Sequence, residues 1–143
     1  MPVQTLLLPQ PNLIAGGTIN RGRFITATAG TEQAVTQAAA ASVLLVGVTS
    51  RWQEPAGLNA GLTSGFGTVI ARSGESVSYN GPGQISEIML GTAVTDLTVG
   101  LTADADGKGA PASSGNYIGA WPLRLGSAGE YIPVFVAQYG IKA

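Results

Sequence analysis

Glycine and proline divide this chain into short segments, and that division restricts the fold more than any other feature. The 143 residues include 21 glycines and eight prolines. The segments between them are rich in Val, Ile, Thr and aromatic residues, which favour strands. Strand-sized segments at a spacing of roughly 8 to 12 residues, with glycine turns between them, are typical of sandwiches and small barrels. The sequence therefore predicts one all-β domain of either kind.

The predicted strands carry alternating or continuous apolar residues. Val77 and Tyr79 are predicted to lie on one face of their strand, and Asp106 and Gly107 at the tip of a hairpin. The alanine-rich stretch 32–41 fits either a helical turn or a bent strand. Strands are predicted within 23–30, 42–50, 68–74, 75–83, 84–91, 101–113, 116–123 and 130–140.

The first 17 residues differ from the rest of the chain. They have no charged side chain, and three prolines separate their aliphatic residues. Proline fixes φ and holds the preceding residue extended. The sequence therefore predicts an extended arm at 1–17 and a β body at 18–143. Extended, the arm would reach roughly 50 Å, far enough to lie on a neighbouring subunit.

A second unusual segment is the glycine-rich loop at 51–67, which carries large apolar side chains. Loops usually face water, so this one either folds over its own core or forms a contact surface. Together with the arm it supplies the predicted interface residues, which are Leu6, Leu7, Leu8, Leu13, Ile14, Trp52, Leu58 and Phe66. Other large aromatic residues, by default core residues, are Trp121, Tyr131, Phe135 and Tyr139.

The composition argues against several kinds of chemistry. The chain has neither His nor Cys, so Ser-His-Asp catalysis, thiol nucleophiles and zinc-thiolate sites are excluded. Its net charge is −1 and its seven basic residues are scattered, so nucleic acid is not predicted as a partner. No secretory signal or spanning segment is recognisable, and synthesis in the cytoplasm without a membrane partner is expected.

Three motifs resemble functional sites, and each has a simpler explanation. Asp104 and Asp106 resemble the opening of a calcium loop but lack the later acidic ligands. Gly65-Phe66-Gly67 lacks the third glycine of a dinucleotide fingerprint. Glu75, Glu87 and Glu130 could supply paired carboxylates for glycoside hydrolysis, but their positions suit turns and strand edges. No catalytic, cofactor-binding or metal-ligating residue is predicted.

A family resemblance rests on three stretches. These are GESVSYNGPGQISEIMLGTAVT at 74–95, LTADADGKGAPASSGNYIGAWPL at 101–123 and SAGEYIPVFVA at 127–137. Together they resemble the body of the head decoration, or capsid cement, proteins of tailed bacteriophages. NRGRFITATAG at 20–30 and VLLVGVTS at 43–50 are similar to the opening strands of that family. DLTVG at 96–100 departs from the compact turn that the family often has there.

This resemblance implies a small β-barrel or tulip-like sandwich that forms a homotrimer on the outer surface of the capsid. It also implies bridging between major capsid protein subunits, localisation to the virion, and no cofactor or catalysis. Two other functions remain open. One is a different virion part, such as a tail or fibre adaptor, or a carbohydrate-binding β module that uses Trp52 or Trp121. The other is a hydrolase that uses Glu or Asp.

Overall fold

The computed structural model describes residues 13–41, 43–50, 69–137 and 140–142. Within these ranges the chain forms thirteen strands and no helix. The strands are β1 (Leu13–Ala15), β2 (Ile19–Asn20), β3 (Phe24–Ala27), β4 (Ala34–Gln37), β5 (Leu45–Thr49), β6 (Val69–Ala71), β7 (Ser76–Val77), β8 (Tyr79–Asn80), β9 (Ile85–Met89), β10 (Leu101–Ala103), β11 (Gly109–Pro111), β12 (Ala120–Pro122) and β13 (Tyr131–Val136).

Six strands form one sheet in the order β7-β1-β4-β3-β5-β8. Strand β1 lies parallel to β4 and antiparallel to β7. The two edge strands β7 and β8 are consecutive in the chain and are separated only by Ser78. This sheet therefore curls enough that one chain segment supplies both of its edge strands, although β7 and β8 do not pair with each other.

The second sheet has five strands in the order β11-β10-β12-β13-β9. Each neighbouring pair is antiparallel, and the longest ladder joins β13 to β9 from Tyr131↔Met89 to Phe135↔Ile85. The remaining strands, β2 and β6, form a two-stranded sheet.

The main core lies between the two large sheets. Phe24 and Val48 of the six-stranded sheet are fully buried in one cluster with Leu101, Ile132 and Val134 of the five-stranded sheet. Gly119 lies close to this contact, because an added Cβ there would come within 2.6 Å of Phe24 Cε1. Close packing of this kind specifies how the two sheets meet.

A second core lies on the other side of the six-stranded sheet. Ile25 and Val35 of that sheet are buried here with Ile19 and Ile70 of the two-stranded sheet. Phe24 and Ile25 therefore serve different cores, as the alternation of side chains along a strand requires.

The structure confirms an all-β sandwich. The barrel alternative does not hold, because no closed barrel forms among the described residues. The stretch at 32–41 contains strand β4, which settles the ambiguity left by its alanines. Ser78 divides the predicted 75–83 strand into β7 and β8. Val77 and Tyr79 both pack on the second core, as predicted.

Only residues 13–17 of the predicted arm are described, and part of this stretch is paired in the sheet. The Ile14 amide donates to the Gln33 carbonyl and the Ala15 amide to the Glu75 carbonyl, both at 2.8 Å. The extended conformation predicted there is thus present in β1, between two strands of the body. Residues 1–12 lie outside the described ranges, and the division of the chain at residue 17 stays a prediction.

Candidate functional site

The outer face of the five-stranded sheet carries an exposed apolar row. Trp121 of β12 is paired with Phe135 of β13, and Phe135 is paired with Ile85 of β9. The exposed fractions of the three side chains are 38%, 43% and 65%. Three large apolar side chains on adjacent strands therefore lie side by side in water.

Strand alternation creates this row. In β13 the side chains of Ile132, Val134 and Val136 are buried in the main core. Successive side chains of a strand point to opposite faces, so Phe135 must face outward. The same alternation places Trp121 outward between the buried residues Ala120 and Pro122.

Leu123 extends the apolar surface beyond this row. Its amide donates to the Pro133 carbonyl at 3.0 Å, which holds Leu123 beside β13. The side chain of Leu123 is 49% exposed. We call Ile85, Trp121, Leu123 and Phe135 the outer apolar face.

Polar groups lie at one end of the outer apolar face. The Arg124 guanidinium is 3.5 Å from the Glu130 carboxylate and donates to the Tyr131 carbonyl at 3.0 Å. Both charged side chains are about half exposed, so the pair adds little to stability. An apolar centre beside a polar margin is the usual anatomy of a protein interface.

The carboxylates considered for catalysis or metal binding have local structural contacts. Glu75 accepts the Arg72 amide at 2.6 Å, and Glu130 accepts the Ser127 amide at 3.0 Å. Each bond closes a turn of four residues. Glu87 lies in β9 opposite Pro133.

Asp104 has a similar local role. Its Oδ1 accepts the amides of Asp106 at 2.8 Å and Lys108 at 2.9 Å. The carboxylate therefore shapes the tip of the β10–β11 hairpin, as Asp side chains commonly do in turns. In the part of the chain that the structure describes, no three acidic side chains come together as a group that could hold a metal ion.

Of the predicted interface residues, Leu13 and Ile14 are described. Leu13 is partly buried against the second core, and Ile14 is half-buried in β1. Neither belongs to the outer apolar face. The other six, which are Leu6, Leu7, Leu8, Trp52, Leu58 and Phe66, lie outside the described residues.

The sequence singles out Trp121 and Phe135 as notable aromatic residues but does not identify Ile85 or Leu123 as members of the outer apolar face. The available signal was the buried alternation of Ile132, Val134 and Val136, which puts Phe135 outside. The register that brings Ile85 and Trp121 beside it cannot be read from any one strand.

The described residues include no helix that is long and apolar enough to cross a membrane.

Comparison with known proteins identifies a similar fold. The chain resembles the N base of head fibre protein gp8.5 of bacteriophage phi29, with a TM-score of 0.58 over 93% of this chain and 97% of that one. The sequences are 10% identical, so the likeness is one of fold. No family model and no curated protein sequence matches the chain.

Proposed function

We propose that this protein is a structural component of a phage virion, attached to the head as a decoration or cement protein. The observation that carries the proposal is the outer apolar face, an exposed surface built on a rigid sheet. The similarity of the protein's fold to the base of a phage head fibre supports the same assignment. The sequence stretches that resemble capsid cement proteins support it as well.

The outer apolar face is suited to docking on a protein surface. Aromatic side chains dominate the centres of interfaces because they remove much apolar area from water at little entropic cost. Trp121 and Phe135 are held by β12 and β13 and need no rearrangement before binding. We assign the major capsid protein as the partner of this face.

Repetition over the capsid makes a modest contact effective. A homotrimer at a three-fold position would present three outer apolar faces, one from each copy. Linked contacts bind more tightly than any single one, because later contacts form intramolecularly. In this arrangement the trimer bridges neighbouring capsid subunits and stabilises the shell.

We further propose that the protein works without catalysis. Glu75 and Glu130 are committed to turn hydrogen bonds, and Asp104 to the hairpin tip. These hydrogen bonds account for the presence of the three carboxylates without a role in binding a substrate.

A capsid-binding experiment tests the outer apolar face. The double variant Trp121→Ser, Phe135→Ser should bind purified, undecorated capsids at least about tenfold more weakly, because two interface anchors are lost. Co-sedimentation of labelled protein with capsids measures the affinity. The urea midpoint of the variant should stay near that of the wild type, since both side chains face water.

The matched control uses exposed apolar residues outside the strands of this sheet. Leu97 is 46% exposed and Ile141 is 61% exposed, and neither lies in a strand of the five-stranded sheet. Leu97→Ser, Ile141→Ser should bind capsids like the wild type. Undiminished binding by the Trp121 and Phe135 variant would refute the proposed face.

Exposed Trp121 also favours the second candidate, a carbohydrate-binding module, because a flat indole on a sheet can stack on a sugar ring. This reading predicts that the isolated protein binds immobilised glycans and that Trp121→Ser abolishes the binding. If the wild type binds glycans and the Trp121→Ser variant keeps the capsid affinity of the wild type, the carbohydrate-binding function is favoured over capsid attachment through this face.

A further inference from the structure

The curled six-stranded sheet holds an apolar cavity of ≈ 250 Å³ at one end. Five of its strands contribute side chains to the wall, which are Leu13 from β1, Ala27 from β3, Val35 from β4, Val46 from β5 and Tyr79 from β8. An engineered apolar cavity of roughly 150 Å³ accepts benzene. The volume here is thus sufficient for a branched aliphatic side chain.

The chemistry of the wall selects an uncharged, apolar occupant. The described lining residues carry no carboxylate, ammonium or guanidinium group. Burial raises the pKa of the Tyr79 phenol above its ordinary value, so this side chain is neutral at physiological pH. The polar members Thr31 and Gln33 are exposed and lie at the opening.

The described chain begins at this cavity. Leu13 lines it, and the Gln33 carbonyl, at its opening, accepts the Ile14 amide at 2.8 Å. The twelve residues that precede Leu13 carry no charge and include three consecutive leucines at 6–8. An apolar segment is therefore tethered at the mouth of an apolar cavity.

The prolines argue against entry of these leucines into the cavity of their own copy. Pro9 and Pro11 restrict φ at their own positions and favour extended conformations at Leu8 and Gln10. An extended stretch of four residues spans about 12 Å. The sequence therefore predicts that the leucines are directed away from the cavity that Leu13 lines.

We propose that Leu6–Leu8 of one copy dock in the cavity of a second copy of this chain. The exchange is directional, because an arm of one copy meets the body of the next. Such a heterologous contact closes into a ring when the rotation between copies permits it, and a ring of three is the trimer that the family resemblance implies. The proposal does not depend on capsid attachment, since the protein alone suffices to test it.

Disulfide trapping tests the exchange cleanly because the chain has no natural cysteine. One protein carries Leu7→Cys, which leaves Leu6 and Leu8 to dock, and a second protein of different mass carries Thr31→Cys at the cavity opening. The two are mixed and oxidised. We expect a heterolinked dimer on non-reducing electrophoresis.

The control replaces Thr31→Cys by Thr95→Cys, at a threonine that is also exposed but lies outside the cavity lining. It should give at least about tenfold less heterolinked dimer. Equal yields at positions 31 and 95 would overturn the proposal. The proposal would also be overturned if the Leu7→Cys, Thr31→Cys double variant formed a disulfide only within one chain. It would be overturned equally if a Phe66→Cys variant, and not the Leu7→Cys variant, formed the disulfide with Thr31→Cys.

A second measurement avoids cysteine. Replacing Leu6, Leu7 and Leu8 by Ser should weaken self-association by at least about tenfold, because the buried leucine contacts are lost. Ala27→Phe, which fills the cavity from its opening, should do the same. Sedimentation measures both, and an unchanged association constant in both variants would refute the exchange.

Discussion

Thr49 provides a quantitative test of how the chain segment between β2 and β3 is held. Its side chain is completely buried at the end of β5. Its Oγ1 accepts the Arg23 amide at 2.9 Å and donates to the Asn20 carbonyl at 2.8 Å. One hydroxyl thus satisfies two backbone groups of the neighbouring segment.

Thr49→Val keeps the shape of the side chain and removes both bonds. An unsatisfied buried backbone group costs about 1–3 kcal/mol. Arg23 is only 5% exposed, so its amide cannot turn to water, whereas Asn20 is half-buried and its carbonyl can. We therefore expect a loss of about 2–3 kcal/mol, most of it from the Arg23 amide.

Urea unfolding measures the effect. With a slope of about 1–3 kcal/mol per molar for a small domain, the midpoint should fall by about 0.7–3 M. Thr49→Ser keeps both hydrogen bonds and loses one buried methyl, which costs about 1 kcal/mol.

A threonine at a more exposed position gives the matched control. Thr26 Oγ1 donates to the Leu44 carbonyl at 2.7 Å in an exposed setting. Water can replace that bond, so Thr26→Val should change stability by no more than about 0.5 kcal/mol. If Thr49→Val were no more damaging than Thr49→Ser, the hydroxyl would not have the role described.

Two further predictions concern turns. Gly22 has φ +62°, and an added Cβ there would lie 2.5 Å from Tyr131 Cε1, whereas Gly74 has φ +89° and open space around it. Gly74→Ala should therefore cost about 1–2 kcal/mol of stability from backbone strain alone, and Gly22→Ala should cost clearly more. Equal urea midpoints for the two variants would contradict this prediction. The side-chain and backbone hydrogen bonds from Thr98 hold the pKa of Asp96 below its ordinary value, so Thr98→Val should raise it in an NMR titration. Because the folded pKa is lowered, the associated stabilisation is present above the unfolded pKa and disappears as pH falls through the folded one; an unshifted pKa in the variant would refute this origin.

Local features of the fold were readable from the sequence. Asp106 and Gly107 marked the tip of the β10–β11 hairpin, and Gly107 has the positive φ of 74° that such a turn needs. The alternation in 130–140 identified β13. In these cases the sequence signal and the structure involve residues close together in the chain.

Features that depend on distant pairing were not readable. The parallel contact of β1 with β4 joins residues that are distant in the chain. The break at Ser78 arises because β7 pairs with β1 whereas β8 pairs with β5. The outer apolar face likewise depends on β9, β12 and β13 meeting in one register. A one-residue slip of any of these strands would reverse its faces, and no local pattern fixes that choice.

The two proposed contact surfaces belong to different sheets, and this separation makes their roles experimentally distinct. The outer apolar face lies on the five-stranded sheet, whereas the cavity lies within the six-stranded sheet. Trp121→Ser with Phe135→Ser should therefore weaken capsid binding at least about tenfold and leave self-association intact. Serines at 6–8 should dissociate the copies and leave each outer apolar face unchanged, so capsid affinity should fall only by the contribution of linkage between copies. If both sets of changes removed both properties together, one shared surface would have to replace the two.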